Sequence, residues 1–241
     1  MYLIAFFLNL LFGVSIALAQ NPITLAEIDT QHEKSQFRTD YQDIALQIGK
    51  VLAGNSNQYQ WQWRQARTQY FLAKNTGELK SNHYDLCILH SSRAIELQPN
   101  SSISYFYRGL CRGKQGEING VWASLGIIEP FEKDMKKALE LDQTVNNAGP
   151  HRALGKLYLE LPFFLGGNSN KAIFHLEEAV RLAPDYAENH LGLAQVFIKI
   201  NNSNQARESL HKLIELTDNT QNEKLLSLRK EGFELLANLL L

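Results

Sequence analysis

Basic side chains beside an apolar stripe are the residues of this sequence best suited to binding chemistry. Arg108, Arg112, Arg152 and Lys156 fall on the predicted first helices of two helical hairpins. Guanidinium and ammonium groups placed in this way can clamp a carboxylate. The alternative interpretation is that these residues form an ordinary solvated face, and the sequence leaves both interpretations open.

The apolar stripe next to these cations is predicted to line the inner face of a curved helical stack. Apolar stripes at helical spacing are more often plain core than a pocket, so core filling remains the competing interpretation. The candidate contact residues for a ligand or partner are Ile103, Phe106, Tyr107, Leu110, Trp122, Arg152, Lys156, Leu159, Phe163, Phe164, Leu191 and Ile198.

Catalytic signatures do not stand out in this sequence. It contains no G-x-S-x-G elbow, no phosphate-binding lysine loop, no H-E-x-x-H and no C-x-x-C-H. His151 and His190 occupy equivalent places in successive repeats, which separates them by roughly 10 Å and is too far for two ligands of one metal ion. We therefore predict a protein that is not an enzyme and has no cofactor or metal.

Cys87 and Cys111, the two cysteines of the chain, lie symmetrically about Pro99, where a helical hairpin is predicted to turn. They should reach the same height on adjacent helices, so a disulfide is feasible in an exported protein. Height does not fix helix phase, and two small buried thiols at a close helix crossing remain the alternative.

Residues 149–216 show most clearly which elements position these side chains. Leu154-Gly155, Tyr158 and Ala172 follow the order of small, aromatic and small residues of the 34-residue tetratricopeptide pattern, and Pro184 closes the unit. The same order returns at Ala194, Phe197 and Ala206. A small residue is needed where two helices cross closely, and a large one fills the neighbouring gap. We predict an all-α fold, a tetratricopeptide-like helical-hairpin solenoid of about four repeats over residues 58–219.

Closing phrases of the repeats begin at Ala94, Ala138, Ala179 and Leu213, and only the last interval equals the 34-residue period. The two longer intervals predict insertions at 116–128 and 161–167. Both segments are apolar, so they should either pack on the repeats or line a site for an apolar ligand or partner.

The two ends of the chain have separate roles in this interpretation. Residues 1–19 are apolar and end in a small-x-small pattern, which predicts a signal peptide and a periplasmic or secreted protein. An uncleaved membrane anchor is the alternative, because the apolar run is long. Residues 20–57 are predicted to form an N-terminal helical segment with a capping box at Thr24 and Glu27. Residues 220–241 should hold a C-terminal closing helix.

Charge composition limits the class of partner. The 241 residues contain 24 Lys and Arg against 25 Asp and Glu, and no basic stripe is visible. Nucleic acid and anionic membrane surfaces both require a basic excess, so neither is expected as the main partner.

Residues 149–162, followed by Gly166-Gly167-Asn168, Lys171-Ala172 and the segment 176–179, resemble the periplasmic T-component family of TRAP transporters. The resemblance covers about residues 101–216 and includes both insertion positions. It implies a helical scaffold, often oligomeric, that docks an exported solute-binding protein and holds a small organic acid or apolar ligand. The sequence lacks the lipid-attachment cysteine of that family, so membrane tethering is expected only if the N-terminal segment stays uncleaved.

Two functions of different class follow from these observations. The first is an exported scaffold that binds a protein partner, and an apolar or carboxylate ligand on its inner face. The second is a structural assembly adaptor whose inner face is filled by its own closing helix. Alanine at Phe106 and Tyr107 should separate them, since the first function loses binding and the second loses stability.

Overall fold

Eleven α-helices joined by short connections make up the chain in the computed structural model, which describes residues 23–75, 77, 80–119 and 121–239, without the side chains of 119 and 121–124. No strand occurs in these ranges. The predicted signal peptide and the side chain of Trp122 lie outside the described residues. The helices are α1 Leu25–Lys34, α2 Arg38–Gly54, α3 Tyr59–Lys74, α4 Lys80–Leu97, α5 Ser102–Asn119, α6 Val121–Leu141, α7 Val145–Glu160, α8 Ser169–Leu182, α9 Ala187–Lys199, α10 Ser203–Leu216 and α11 Glu223–Asn238.

Four helical hairpins, α3/α4, α5/α6, α7/α8 and α9/α10, stack in chain order and share one main core. Leu176 of α8 shows why the spacing of small residues predicts this packing. Its side chain is 1% exposed and lies between Gly155 of α7 and Gly192 of α9. A Cβ at Gly155 would lie 2.5 Å from Leu176 Cγ, and one at Gly192 would lie 2.7 Å from Cδ2. Glycine at both crossings is therefore what lets three helices enclose one leucine. The prediction of an all-α helical solenoid is confirmed.

The N-terminal segment packs on the first hairpin. Thr24 and Glu27 form the capping box that starts α1, with the Glu27 amide 3.2 Å from Thr24 Oγ1 and the Thr24 amide 2.8 Å from Glu27 Oε2. Asp29 then accepts from Arg64 and Arg67 of α3. Buried apolar residues of α1 and α2 form a second cluster against Trp61. This arrangement covers the face that the first hairpin would otherwise expose.

Cys87 of α4 and Cys111 of α5 form a disulfide, with their Cα atoms 6.2 Å apart. Both residues are fully buried in the main core. The sequence did not determine whether the two cysteines face each other across the helices. The packing of α4 on α5 turns both side chains toward one another.

The residues predicted to be insertions take two forms. Within the predicted insertion 116–128, residues 116–119 lie at the end of α5 and residues 121–128 at the start of α6, which are 18 and 21 residues long. The second segment forms a short 3-10 turn, Phe163–Leu165, between α7 and α8. Pro130 lies inside α6.

Helix α11 closes the described chain at the end of the stack. Its residue Gly232 is buried. A Cβ at this position would lie 2.7 Å from Leu213 Cδ2, so glycine allows α11 to pack closely against Leu213. The Glu223 amide donates to Gln36 Oε1 at 3.3 Å, so the start of α11 touches the connection between α1 and α2. The two ends of the described stack therefore meet. None of the described helices combines the length and apolarity needed to cross a membrane.

His32 makes the stability of this N-terminal region sensitive to acid. It is buried edge-on against the rings of Tyr41 and Phe71, and its Nε2 has no hydrogen-bond partner among the described residues. Burial, followed by the charge of Arg67, lowers its pKa to about 3. In the unfolded chain His32 becomes protonated as the pH falls through 6.5, whereas in the folded chain it stays neutral. The free energy of unfolding therefore decreases as the pH drops below 6.5.

Between pH 6.5 and pH 5 we expect His32 to remove about 2 kcal/mol from the free energy of unfolding. Urea unfolding at both pH values measures this loss. Other histidines also titrate in the unfolded chain, so the variant His32→Phe provides the comparison. A wild-type pH dependence no steeper than that of His32→Phe would contradict the prediction.

Candidate functional site

A concave groove of about 860 Å³ runs along the inner face of the helical stack. Side chains from α3, α5, α6, α7, α8, α9 and α11 line it, together with Tyr186 and the segment that connects α7 to α8. Most of its wall is apolar, and the volume lies within the range of small-molecule sites. The apolar wall includes Leu110, Leu125, Ile127, Ile128, Phe131, Leu157, Leu159, Leu165, Leu191 and Leu228.

Seven of the twelve predicted contact residues line this groove. They are Phe106, Tyr107, Leu110, Arg152, Lys156, Leu159 and Leu191. Phe106 and Tyr107 also belong to the buried main core, so alanine at these positions would cost stability under either function and cannot separate the two.

Four further predicted contact residues lie outside the groove lining, whereas the side chain of Trp122 is outside the described residues. Ile103 is partly buried against the main core, and Ile198 is half-buried outside the groove lining. Phe163 and Phe164 lie in solvent, 90% and 83% exposed. Within the segment 116–128, the side chains of Leu125, Ile127 and Ile128 lie in the wall of the groove.

Arg108 and Arg112 are not available as a carboxylate clamp. Their guanidinium groups reach Asp134 at 2.6 Å and 2.8 Å, and Asp134 is buried. Neither arginine lines the groove. The carboxylate of Asp134 on α6 therefore pairs with both guanidinium groups. The residue pattern of α5 alone could not show this partner.

Arg152 takes part in a charged cluster that joins α7, α9 and α11. Its Nη1 donates to Asn189 Oδ1 at 2.6 Å and its Nε lies 3.7 Å from Glu188. Glu188 also accepts from Lys224 of α11 at 2.6 Å. Burial raises the pKa of Glu188, but Lys224 and Arg152 outweigh that effect and the pKa is lowered. The cluster thus consists of a carboxylate held ionised between two cations, which fixes α11 against the groove.

A left-handed turn at residues 146–148 contributes a backbone acceptor to Arg152. Asn146, Asn147 and Ala148 have φ of 51°, 56° and 57°, and the Asn147 carbonyl accepts from Arg152 Nη1 at 3.0 Å. Left-handed backbone costs about 1–2 kcal/mol per residue outside glycine. Gly149 follows directly against Phe106, where a Cβ would lie 2.6 Å from the ring. These left-handed residues form a kink near the start of α7, and Gly149 then lets this helix pass close to α5.

Tyr70 and Lys74 of α3 also line the groove, although they are not among the contact residues that the sequence predicts. Tyr70 and Tyr107 lie with ring centroids 6.0 Å apart, and Lys74 Nζ lies 5.8 Å from the centre of the Tyr70 ring. The i, i+4 spacing of Tyr70 and Lys74 was a usable signal, but the first repeat matches the tetratricopeptide pattern least well.

The connection between α7 and α8 is tightly held. Gly166 has φ of 96°, and a Cβ at Gly167 would lie 1.8 Å from the Leu161 carbonyl oxygen. The amides of Leu165 and Gly167 donate to the Pro162 carbonyl, and the Asn168 amide donates to that of Tyr158. Leu161, Pro162 and Leu165 face the groove, whereas Phe163 and Phe164 face water. One rigid turn thus forms both the groove rim and an exposed aromatic pair.

The histidines singled out in the sequence have local partners. His151 Nδ1 lies 3.0 Å from His175 Nδ1, and His190 Nε2 lies 2.7 Å from the Pro184 carbonyl oxygen. Among the described residues, no group of three metal-ligating side chains comes together.

Comparison with known proteins supports the fold. Residues 164–229 match the family described as tetratricopeptide repeat. Among solved structures, a thermophilic TPR protein of Thermus thermophilus matches with a TM-score of 0.67 and 19% identity, over 88% of this chain and 97% of that chain. MamA matches with a TM-score of 0.52 and 15% identity, over 80% of this chain and 96% of that chain. No curated protein gives a significant match. Together these findings identify the chain as a tetratricopeptide-like helical solenoid.

Proposed function

We propose that this protein is an exported, non-enzymatic scaffold that docks a partner protein and holds an apolar molecule in its groove. The single observation that supports this most is the groove itself, about 860 Å³ with an apolar wall. A volume of this size suits one small ligand that is mostly enclosed by side chains.

The open groove favours this function over the structural adaptor. An adaptor with a self-filled inner face requires the closing helix to occupy that face. Helix α11 contributes only Lys224, Leu228 and Glu231 to the lining, and the volume remains beside it. The inner face is therefore available to another molecule.

The partner protein is proposed to dock on the rigid turn at the groove rim. Phe163 and Phe164 are large apolar side chains held in water by a backbone that has little freedom to bury them. Aromatic anchors that need no ordering on binding are typical hot spots of protein interfaces. Their position beside the rim would place the partner next to the groove mouth. By its resemblance to the T-component family, the partner is an exported solute-binding protein.

Export is proposed from the apolar residues 1–19 and receives support from the disulfide. Disulfides persist in oxidising compartments and are rare in the cytosol. The bond between Cys87 and Cys111 is fully buried and belongs to the core of the fold. A periplasmic or secreted location suits both features.

Native mass spectrometry of the protein from the extracytoplasmic fraction of its own host tests this function. We expect a stoichiometric complex with a companion protein that Phe163→Ala/Phe164→Ala abolishes. The fold should be retained, because both side chains are exposed. Phe37→Ala is the matched control, since Phe37 is also exposed, at 57%, but lies at the start of α2.

A companion that binds the double variant as well as the wild type would refute docking at the turn. A bare monomer without companion or bound small molecule would favour the structural adaptor. Recovery of the full 241-residue mass only from membranes would refute cleavage after Ala19.

A further inference from the structure

Three hydrogen-bond donors at one end of the groove have no acceptor. The hydroxyl groups of Tyr70 and Tyr107 and the ammonium group of Lys74 make no hydrogen bond or ion pair with the described residues, although all three side chains line the groove. Tyr107 is only 3% exposed. Neither hydroxyl oxygen is fully buried, so both are open to the space of the groove. This end of the groove therefore offers donors to whatever occupies it.

Each of the other cations of the groove has a carboxylate partner, although two of them share one. Lys114 pairs with Glu117 at 2.8 Å, Lys156 with Glu160 at 3.6 Å, and Lys224 with Glu188 at 2.6 Å. Arg152 shares Glu188 and donates to Asn189. Among the groove cations in the described ranges, Lys74 is thus the one left without a carboxylate.

The surroundings of Lys74 make a negative charge favourable there. Desolvation in the groove lowers the pKa of its ammonium group, although much of the side chain remains exposed. The positive charges of Lys224, Lys114 and Lys156 lower this pKa further, and the negative charge of Glu188 opposes them. Burial raises the pKa of Tyr70 and Tyr107, so both hydroxyls keep their protons and remain donors at neutral pH. An anion would relieve the repulsion among the ammonium groups and accept from both hydroxyls.

We infer that the groove ligand is a long-chain monocarboxylate, with its head group on Lys74, Tyr70 and Tyr107 and its chain along the apolar wall. This inference rests on the proposed function and names its ligand class. One negative charge would balance the lining, whereas a dicarboxylate or a phosphate monoester would leave an excess of negative charge. The lining holds five cations, Lys74, Lys114, Arg152, Lys156 and Lys224, against four carboxylates, Glu117, Glu160, Glu188 and Glu231. Leu110 and Leu159 belong to the apolar wall that would cover the chain.

Dodecanoate and its uncharged analogue 1-dodecanol test the inference by isothermal titration calorimetry at pH 8. We expect dodecanoate to bind at least about tenfold more tightly, since a hydrogen bond to a charged group contributes enough for that ratio. Lys74→Met should reduce dodecanoate affinity by about tenfold and leave dodecanol unchanged. Tyr70→Phe and Tyr107→Phe, which remove only the hydroxyl, should each reduce dodecanoate affinity several-fold.

Lys230→Met is the matched control, because Lys230 is an exposed cation of α11 outside the groove lining. Equal affinity for dodecanoate and dodecanol would overturn the head-group site and leave the groove as an apolar binding site. Dodecanoate affinity unaffected by Lys74→Met and by both phenylalanine variants would overturn it as well. Binding of neither probe would refute the ligand part of the proposed function together with this inference.

Discussion

Replacing Leu176 with alanine is expected to lower the free energy of unfolding by about 3 kcal/mol. Leu176 is fully enclosed by three helices, because Gly155 and Gly192 bring α7 and α9 against its side chain. Glycine backbones cannot move in to fill the space that the leucine leaves, so the cavity persists and adds to the lost transfer energy. Urea denaturation followed by circular dichroism measures the change.

Two variants sharpen this test. Leu89→Ala truncates an exposed leucine of α4 and should change stability by no more than about 0.5 kcal/mol. Gly155→Ala should destabilise the wild type, since its Cβ would meet Leu176, but should be tolerated in the Leu176→Ala background. Additive effects in the double variant would show that the two residues do not share the packing described.

Loss of the disulfide is expected to have an effect of similar size. Cys87 and Cys111 are separated by 24 residues, and closing a loop of this length stabilises by about 3 kcal/mol. Cys87→Ala/Cys111→Ala should therefore lower the free energy of unfolding by that amount and shift the urea midpoint downward. Alanine is the suitable replacement, because a serine hydroxyl would be buried at both positions.

Reductant gives an independent measurement of the same bond. Dithiothreitol should lower the midpoint of the wild type towards that of the double variant and leave the double variant unchanged. A wild-type midpoint that does not respond to reductant during unfolding would contradict a stabilising disulfide.

The sequence by itself determined the repeat architecture. Gly155, Tyr158 and Ala172 recur at spacings that only closely crossed helices require, so the solenoid could be predicted without any structure. The capping box at Thr24 followed equally directly, because its two hydrogen bonds join residues three apart. The cysteines were predicted to lie at one height, but their contact depended on the phase of two helices.

The tertiary structure alone decided which polar groups face the groove. Arg108 and Arg112 have the residue type and the helical spacing expected of a carboxylate clamp. Both, however, form ion pairs with Asp134 of another helix. Lys74 and Tyr70 belong to the repeat that matches the tetratricopeptide pattern least well. They line the groove because the stack brings α3 to the same groove as α7 and α9. Local periodicity records what neighbouring helices bury, whereas the partner of a charge is set by contacts between residues far apart in the chain. For the same reason, sequence spacing placed Phe163 and Phe164 among candidate contact residues but could not tell that the Gly166 turn directs them outward, into water.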